Sequence, residues 1–291
     1  MKKGSIKLSV IIVTYNSGIY VHNCLDSIEK FNDLEDRLEV IIVDNTSRVE
    51  SESIAQHISG KYSFLTRVEY SGSNVGFGAA NNIGADLAEG SHICFLNADT
   101  LLTEPIFKRA VDRFSNPNIR TVGPKLLNQK GKSELSFFFI RGYLSSFSSF
   151  LVFRLNELNY KFNNMITSGA CMFVRKKDFD SIGGFNLNMF LYHEESYLAM
   201  KFQKHFRDSI FLFDKSMSVI HLEKSESASA FLAGEYYKSM VFYYKYFGFN
   251  TNILLAVSYC KQILRKFSAK SQTANSLSEY EQIKFSLSKD L

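Results

Sequence analysis

The chain has 291 residues, enough for one large domain or two small ones with a substantial core. Hydrophobic residues at 45% and charged residues at 22% describe an ordinary globular protein, and a formal charge of +5 is too mild to argue for nucleic acid. The opening MKKGSIK lacks the apolar core of a signal peptide, and no run approaches about 18 apolar residues, so no transmembrane helix is expected.

Four cysteines (Cys24, Cys94, Cys171, Cys260) lie far apart with no C-x-x-C pair, which fits a reducing, cytosolic compartment. Leu8 to Val13 reads as a buried first strand that breaks into Thr14-Tyr15-Asn16-Ser17-Gly18. Val21, Cys24, Leu25, Ile28 and Phe31 follow at helical spacing. Glu39 to Val43 is a second buried strand ending in Asp44-Asn45. A polar helix with Ile54 and Ile58 comes next, then a weaker strand near Arg67 to Tyr70. Ser73 to Gly78 opens a helix carrying Ala79, Ile83 and Leu87. Strand and helix alternate in this way up to the central run Ile93 to Leu96, which implies βαβ units and a mostly parallel sheet.

Beyond it, the pattern predicts a helix closing at Ala110 to Phe114 and a strand over Thr121 to Leu127. Residues 128–165, crowded with Phe and Ser, read either as an inserted wall or lid or as packed core. Order returns at Ile166 to Arg175, with Lys176 to Ile182 helical. Glu194 and Glu195 begin a helix buried through Leu198 and Phe202. Ile210 to Phe213 and Ser218 to Leu222 read as two short strands bracketing Asp214. After residue 228 the composition turns helical, with stripes at Tyr237, Met240, Val241, Tyr244, Phe247 and at Ile253, Val257, Cys260, Leu264, Phe267. Residues 269–291 are polar and expected to be loosely ordered.

Four polar sites fall where predicted strands end: Thr14-Tyr15-Asn16, Asp44-Asn45, Asn97-Ala98-Asp99 and, within the last strand, His221. The carboxyl edge of an open parallel sheet is where ligands bind. An acid there, with a hard divalent cation, can grip a diphosphate. Each residue also has a plainer reading: Asp99 and Asp44 as helix caps, His221 as a core histidine. Gly76-x-Gly78 superficially suggests a dinucleotide fingerprint, but its third glycine is misplaced and its strand weak. TYNSG after the first strand is not a phosphate-binding P-loop, nor the basic, glycine-rich loop of a sugar-nucleotide pyrophosphorylase.

The pieces SVIIVTYNS (9–17), VIIVDNTS (40–47), NVGFGAANNIG (74–84), FLNADT (95–100), GACMFVRKKDFDSIGGF (169–185), MFLYHEESYLAMKF (189–202) and VIHLEKS (219–225) follow one another in family order. Together they resemble the family-2 nucleotide-sugar glycosyltransferases of the GT-A fold, particularly the bacterial rhamnosyltransferase-like branch. The resemblance covers about residues 8–225. It implies an α/β fold with a mostly parallel, Rossmann-like central sheet flanked by helices and a helical C-terminal extension. The implied division is a glycosyltransferase domain over 1–228, with a nucleotide half to about 127 and an acceptor half from 128, then the extension over 229–291.

The resemblance also implies roles. Asp44 and the Thr14-Tyr15-Asn16 turn look like the nucleobase and ribose site, with Asn74, Gly76 and Asn82 on positions near the donor. Asn97-Ala98-Asp99 looks like the D-x-D variant, with Asp99 binding Mg²⁺ or Mn²⁺ and His221 completing the metal site. Glu194-Glu195 takes the place of a Glu-Asp pair whose second acid is the general base. Here Glu stands for that Asp, and Tyr197 stands where many relatives carry another acid.

The implied activity is inverting transfer of a sugar, from dTDP-rhamnose or a UDP-hexose, to an acceptor hydroxyl in bacterial surface polysaccharide synthesis. The alternative is a weakly active or inactive binding or scaffold protein of the same fold. The expected partners are the nucleotide-sugar donor and a glycan or lipid-linked acceptor, with no nucleic acid. A homodimer and peripheral contact with the inner face of the cell membrane are further expectations. The contact would run through Ile253 to Phe267, beside Lys261, Arg265, Lys266 and Lys270.

Overall fold

The computed structural model describes residues 5–46, 48–140, 160–162, 164–222, 230–267 and 279–288. Its strands are β1 (Leu8–Thr14), β2 (Leu38–Asp44), β3 (Leu65–Tyr70), β4 (His92–Leu96), β5 (Thr100–Leu102), β6 (Ile119–Leu127), β7 (Phe137–Phe139), β8 (Tyr160–Phe162), β9 (Met165–Thr167), β10 (Cys171–Arg175) and β11 (Ile210–His221). Its helices are α1 (Gly18–Phe31), α2 (Arg48–Ile58), α3 (Phe77–Leu87), α4 (Phe107–Arg113), α5 (Lys176–Ser181), α6 (Glu194–His205), α7 (Ala230–Phe247), α8 (Thr251–Phe267) and α9 (Glu279–Ser288).

Nine strands make a mixed, mostly parallel sheet in the order β3-β2-β1-β4-β10-β6-β11-β5, with β8 paired to β11. The first four are mutually parallel, β10 runs antiparallel between β4 and β6, and β6 and β11 are parallel. Side chains alternate across each strand and feed two cores. Val10, Ile12, Val40, Ile42, Cys94 and Leu96 join one; Ile11, Ile41, Val43, Ile93 and Phe95 join the other. Burial on both faces is why these runs read as continuously apolar. Helix α7 adds Met240, Val241, Tyr243 and Tyr244 to the second core.

Several elements refine or depart from the sequence reading. Helix α3 buries Gly78, Ala80, Asn81, Gly84 and Ala85, and its Ile83 and Leu87 pack half-buried against the second core. It lies so close to the sheet that a Cβ on Gly84 would strike Ile11. The run Ile166 to Arg175 is two strands, β9 and β10, separated by Ser168-Gly169-Ala170. Conversely, Ile210 to His221 is one strand, with a register shift between Asp214 and Ser218 in its pairing with β6. Residues 279–288 form a helix that buries Ile283, not a loose tail. Within 128–165, residues 137–139 pair with 165–167, while 141–159 lie outside the described residues.

Candidate active site

Strands β1, β2, β4 and β11 run in one direction, so Thr14, Asp44, Asn97 and His221 come to the same edge of the sheet. Strand β10 runs the other way and delivers Gly169-Ala170 to that edge. The backbone N–H of Asn97 donates to the Ala170 carbonyl at 3.0 Å, which locks the end of β4 to the start of β10.

Asp99 sits in the turn between β4 and β5. The next helix, α4, has Ile106 at its cap, so Asp99 does not cap it. Antiparallel pairing places His221 opposite Thr100, and Asp99 Oδ1 lies 3.4 Å from His221 Nε2. Asn97 Nδ2 lies 3.4 Å from the same nitrogen, while Asn97 Oδ1 is buried with no hydrogen-bond partner. A carboxylate, an imidazole nitrogen and an orphaned amide oxygen thus converge. Among the described residues no three His, Cys, Asp or Glu side chains form a metal cluster. The oxygen and nitrogen donors present fit a hard divalent cation whose remaining positions are filled by phosphate oxygens and water.

The other strand ends are more self-contained. Asp44 is fully buried. Its Oδ1 accepts from the Thr14 hydroxyl and the Thr46 N–H, both at 3.0 Å, and its Oδ2 from the Ser51 hydroxyl at 2.7 Å. It thereby ties the β1 and β2 ends to the start of α2. Asn16 holds a left-handed φ of 49° and donates its N–H to Thr46 Oγ1, while the Tyr15 ring is 54% exposed above this turn. Asn74 accepts the Gly76 N–H at 3.1 Å. Gly76, at φ 87°, allows close approach to the 190 loop; a Cβ there would strike the Phe190 carbonyl oxygen. Asn82 spends its amide on the backbone of Phe185, donating to its carbonyl and accepting from its N–H, both at 2.9 Å.

The acid pair opens α6. Glu194 is 2% exposed, and its Oε1 has no hydrogen-bond partner. Burial, with the Glu195 carboxylate adding to it, pushes its carboxyl up to about 8. Glu195 is also raised by burial, opposed by hydrogen bonds from backbone N–H groups. The Gly169 N–H donates to Glu195 Oε1 at 2.9 Å, and a Cβ on Gly169 would lie 2.5 Å from that oxygen. The break between β9 and β10 therefore seats Glu195 one residue from the loop that anchors Asn97. Tyr197, on the next turn of the helix, packs its ring on Tyr246 and Phe247 at 5.3 and 5.5 Å.

A cavity of about 380 Å³ joins these groups. It is lined by Asn97 and His221 at the strand ends, by Glu194 and Glu195, and by Gly169. Of the sequence-derived candidates, Thr14, Tyr15, Asn16, Asp44, Asn74, Gly76, Asn82 and Asp99 do not line it. Phe137 to Ile140, from the segment read as either wall or packed core, form part of its remaining wall; Tyr236, Met240 and Tyr243 of α7 and His193 were not foreseen there. Gly169 lies among the small residues Ser168-Gly169-Ala170.

The family model described as "Glycosyl transferase family 2" matches residues 9–183. Glycosyltransferase AglE of Haloferax volcanii is 25% identical over 180 residues, 61% of this chain and 55% of that one. The poly(ribitol-phosphate) beta-glucosyltransferase of Bacillus spizizenii is 31% identical over 94 residues, 32% of this chain and 15% of that one. The chain thus spans about half or less of the length of these curated relatives. In fold it is similar to the mannosyltransferase PcManGT from Pyrobaculum calidifontis, a structure in complex with GDP-Man and Mn²⁺. That match has a TM-score of 0.63 at 17% identity and covers 91% of this chain and 76% of that one.

Proposed function

This chain belongs to glycosyl transferase family 2, and on that premise we propose that it transfers a sugar, with inversion, from a nucleotide-diphosphate donor to an acceptor hydroxyl. The observation that carries the reading is the convergence of Asn97, Asp99 and His221 with the Glu194-Glu195 pair at one sheet edge. Asp99 and His221, with Asn97 beside them, are the residues that would hold Mg²⁺ or Mn²⁺. The cation would neutralise charge on the departing diphosphate.

Glu195 is the general base. Its carboxylate takes the proton of the acceptor hydroxyl as that oxygen bonds to the anomeric carbon. The bond to the diphosphate breaks, and its electron pair leaves with the nucleotide. Glu195 is favoured over Glu194 because the Gly169 N–H donates to its carboxylate and orients it beside the Asn97 anchor. Thr14, Tyr15, Asn16, Asp44, Asn74, Gly76 and Asn82 shape the donor side, several of them through backbone bonds. The donor is dTDP-rhamnose or a UDP-hexose, and the setting is surface polysaccharide synthesis; the names of the relatives support that setting.

No helix among the described residues is long and apolar enough to cross a membrane. On α8, however, Ile253 and Ile263 are 46% and 37% exposed, while Leu254 faces inward and Tyr259 packs on Tyr280 of α9 at 5.3 Å. This outward apolar face supports peripheral contact with an anionic membrane surface. A homodimer through the same face is the outcome that sedimentation would detect.

The decisive experiment is a thermal-shift and transfer screen of dTDP-rhamnose, UDP-glucose, UDP-N-acetylglucosamine and GDP-mannose, with and without Mn²⁺. A donor at about a hundred times its Kd adds roughly 2.7 kcal/mol of stability. Asp99→Ala should abolish the Mn²⁺-dependent part of that shift. Normal Mn²⁺-dependent affinity in this variant overturns the metal assignment. Donor binding without turnover would favour a scaffold role.

A further inference from the structure

The cavity wall carries information about the acceptor. Its described lining residues include two carboxylates and no lysine or arginine. Rings dominate the remainder, and His193 sits among them. Its imidazole lies 4.9 Å from the Tyr236 ring and is stacked on Tyr243 at 6.1 Å and 15°. Its Nε2 is buried with no hydrogen-bond partner. A polar atom left so is costly unless something supplies the missing bond.

The backbone here is held on purpose. Tyr192 and His193 both adopt left-handed φ, 73° and 67°. Residues other than glycine keep that conformation only where the surroundings over-determine it, and such positions cluster at functional sites. The surroundings are α7: the Ser239 hydroxyl donates to the Leu191 carbonyl at 2.8 Å, and the Tyr243 hydroxyl donates to the Ile140 carbonyl at 2.6 Å. His193 is thereby fixed immediately before the acid pair.

We propose that this cavity takes an uncharged sugar ring as the acceptor unit, stacked on the aromatic wall, with His193 Nε2 hydrogen-bonded to one of its hydroxyls. The proposal rests on the glycosyltransferase reading and adds the acceptor's chemical class. Aromatic faces suit the apolar face of a pyranose. A phosphate beside the reacting hydroxyl would meet the Glu195 carboxylate and, among the described lining residues, no lysine or arginine to offset it. The imidazole adds no positive charge either, because burial pushes it down to about 4. A neutral imidazole serves a hydroxyl as donor or acceptor according to its tautomer.

The test offers the protein, with Mn²⁺ and its best donor, p-nitrophenyl glycosides of glucose, galactose and N-acetylglucosamine, and separately poly(ribitol phosphate). Transfer to a glycoside, with the polymer at least about tenfold poorer, is expected. His193→Phe keeps the ring and removes the nitrogen; His193→Asn tolerates the left-handed backbone. Both should raise the glycoside KM about tenfold, the worth of one hydrogen bond, while the donor Kd moves less than about twofold.

Preference for the polymer overturns the proposal. So does an unchanged glycoside KM, or a parallel loss of donor and acceptor affinity with a lowered Tm. Should both variants unfold, the ¹⁵N resonance of the His193 imidazole in the unsubstituted protein decides: it must shift when the glycoside is added. Donor hydrolysis with no glycoside used and no such shift sinks this proposal and spares the broader one. Absence of any donor binding sinks the broader reading, and this one with it.

Discussion

Gly169→Ala isolates the position of Glu195, the proposed general base, from everything else in the site. The Gly169 φ is not left-handed, so alanine introduces no backbone strain there. The added Cβ would sit 2.5 Å from Glu195 Oε1, against an ordinary contact distance from about 3.4 Å, so the carboxylate must retreat by the difference, about 0.9 Å. That movement also stretches the 2.9 Å bond from the Gly169 N–H. Displacing a reacting group by about 1 Å costs on the order of 100-fold, or roughly 2.7 kcal/mol of transition-state stabilisation. The weakened hydrogen bond should lower the Tm by only a few degrees, about 1 kcal/mol.

The assay is release of nucleoside diphosphate in the presence of Mn²⁺ and acceptor, with donor affinity measured in parallel. We expect kcat to fall about 100-fold with donor Kd retained. Adding Glu195→Asp, one methylene shorter, should relieve the clash and recover part of the rate. Wild-type kcat in Gly169→Ala would refute the placement of Glu195. A loss of donor binding would show that the loop does more than seat an acid.

Three further outcomes are expected. Glu195→Gln should keep donor affinity and lose about 10²–10⁴-fold in transfer, and near-normal transfer beside a dead Glu194→Gln would exchange the two roles. Glu194 has a folded-state carboxyl raised well above its unfolded value, so the folded protein holds the extra proton. Its contribution is fully present below about pH 4.5 and is lost as pH rises toward about 8, so Tm should drop across that window. Glu194→Gln should flatten this slope, and an identical pH profile in melting experiments would exclude Glu194 as its source. Finally, a chain truncated after Gly248 should bind anionic liposomes more weakly than the full chain; equal binding removes α8 from membrane contact.

The first half of the fold was legible because β1, β2 and β4 are buried on both faces and so read as unbroken apolar runs. The hydrophobic signature of α3 is thin because close packing against Ile11 selects glycine and alanine beside the half-buried Ile83 and Leu87. The β9–β10 break was marked by Ser168-Gly169, a turn-prone dipeptide set inside an otherwise apolar run. Helix α9 was read as a loose polar tail although Tyr280, Ile283 and Leu287 recur at helical spacing; Ile283 is buried and Leu287 packs against the same core. Residues at the sheet edge, Asn97, Asp99 and His221, could be picked out because strand ends are visible in sequence. The wall opposite was legible only in part: residues 128–165 read as wall or core, whereas tertiary packing alone brings residues near 193 and 240 to it.

The family match ends at residue 183, yet Glu194, Glu195, His221 and the ring-bearing face of α7 all lie after it. Tyr197, on the turn after the acid pair, is wedged against Tyr246 and Phe247 of that helix. The two segments therefore have to change in step: a chimera that grafts the last third from another member onto residues 1–183 must carry residues 189–202 and 230–247 as one inseparable block. On the proposed function, exchanging them together would alter acceptor choice without disturbing the donor. Exchanged singly, either one leaves mismatched rings around the acids and a misdirected loop.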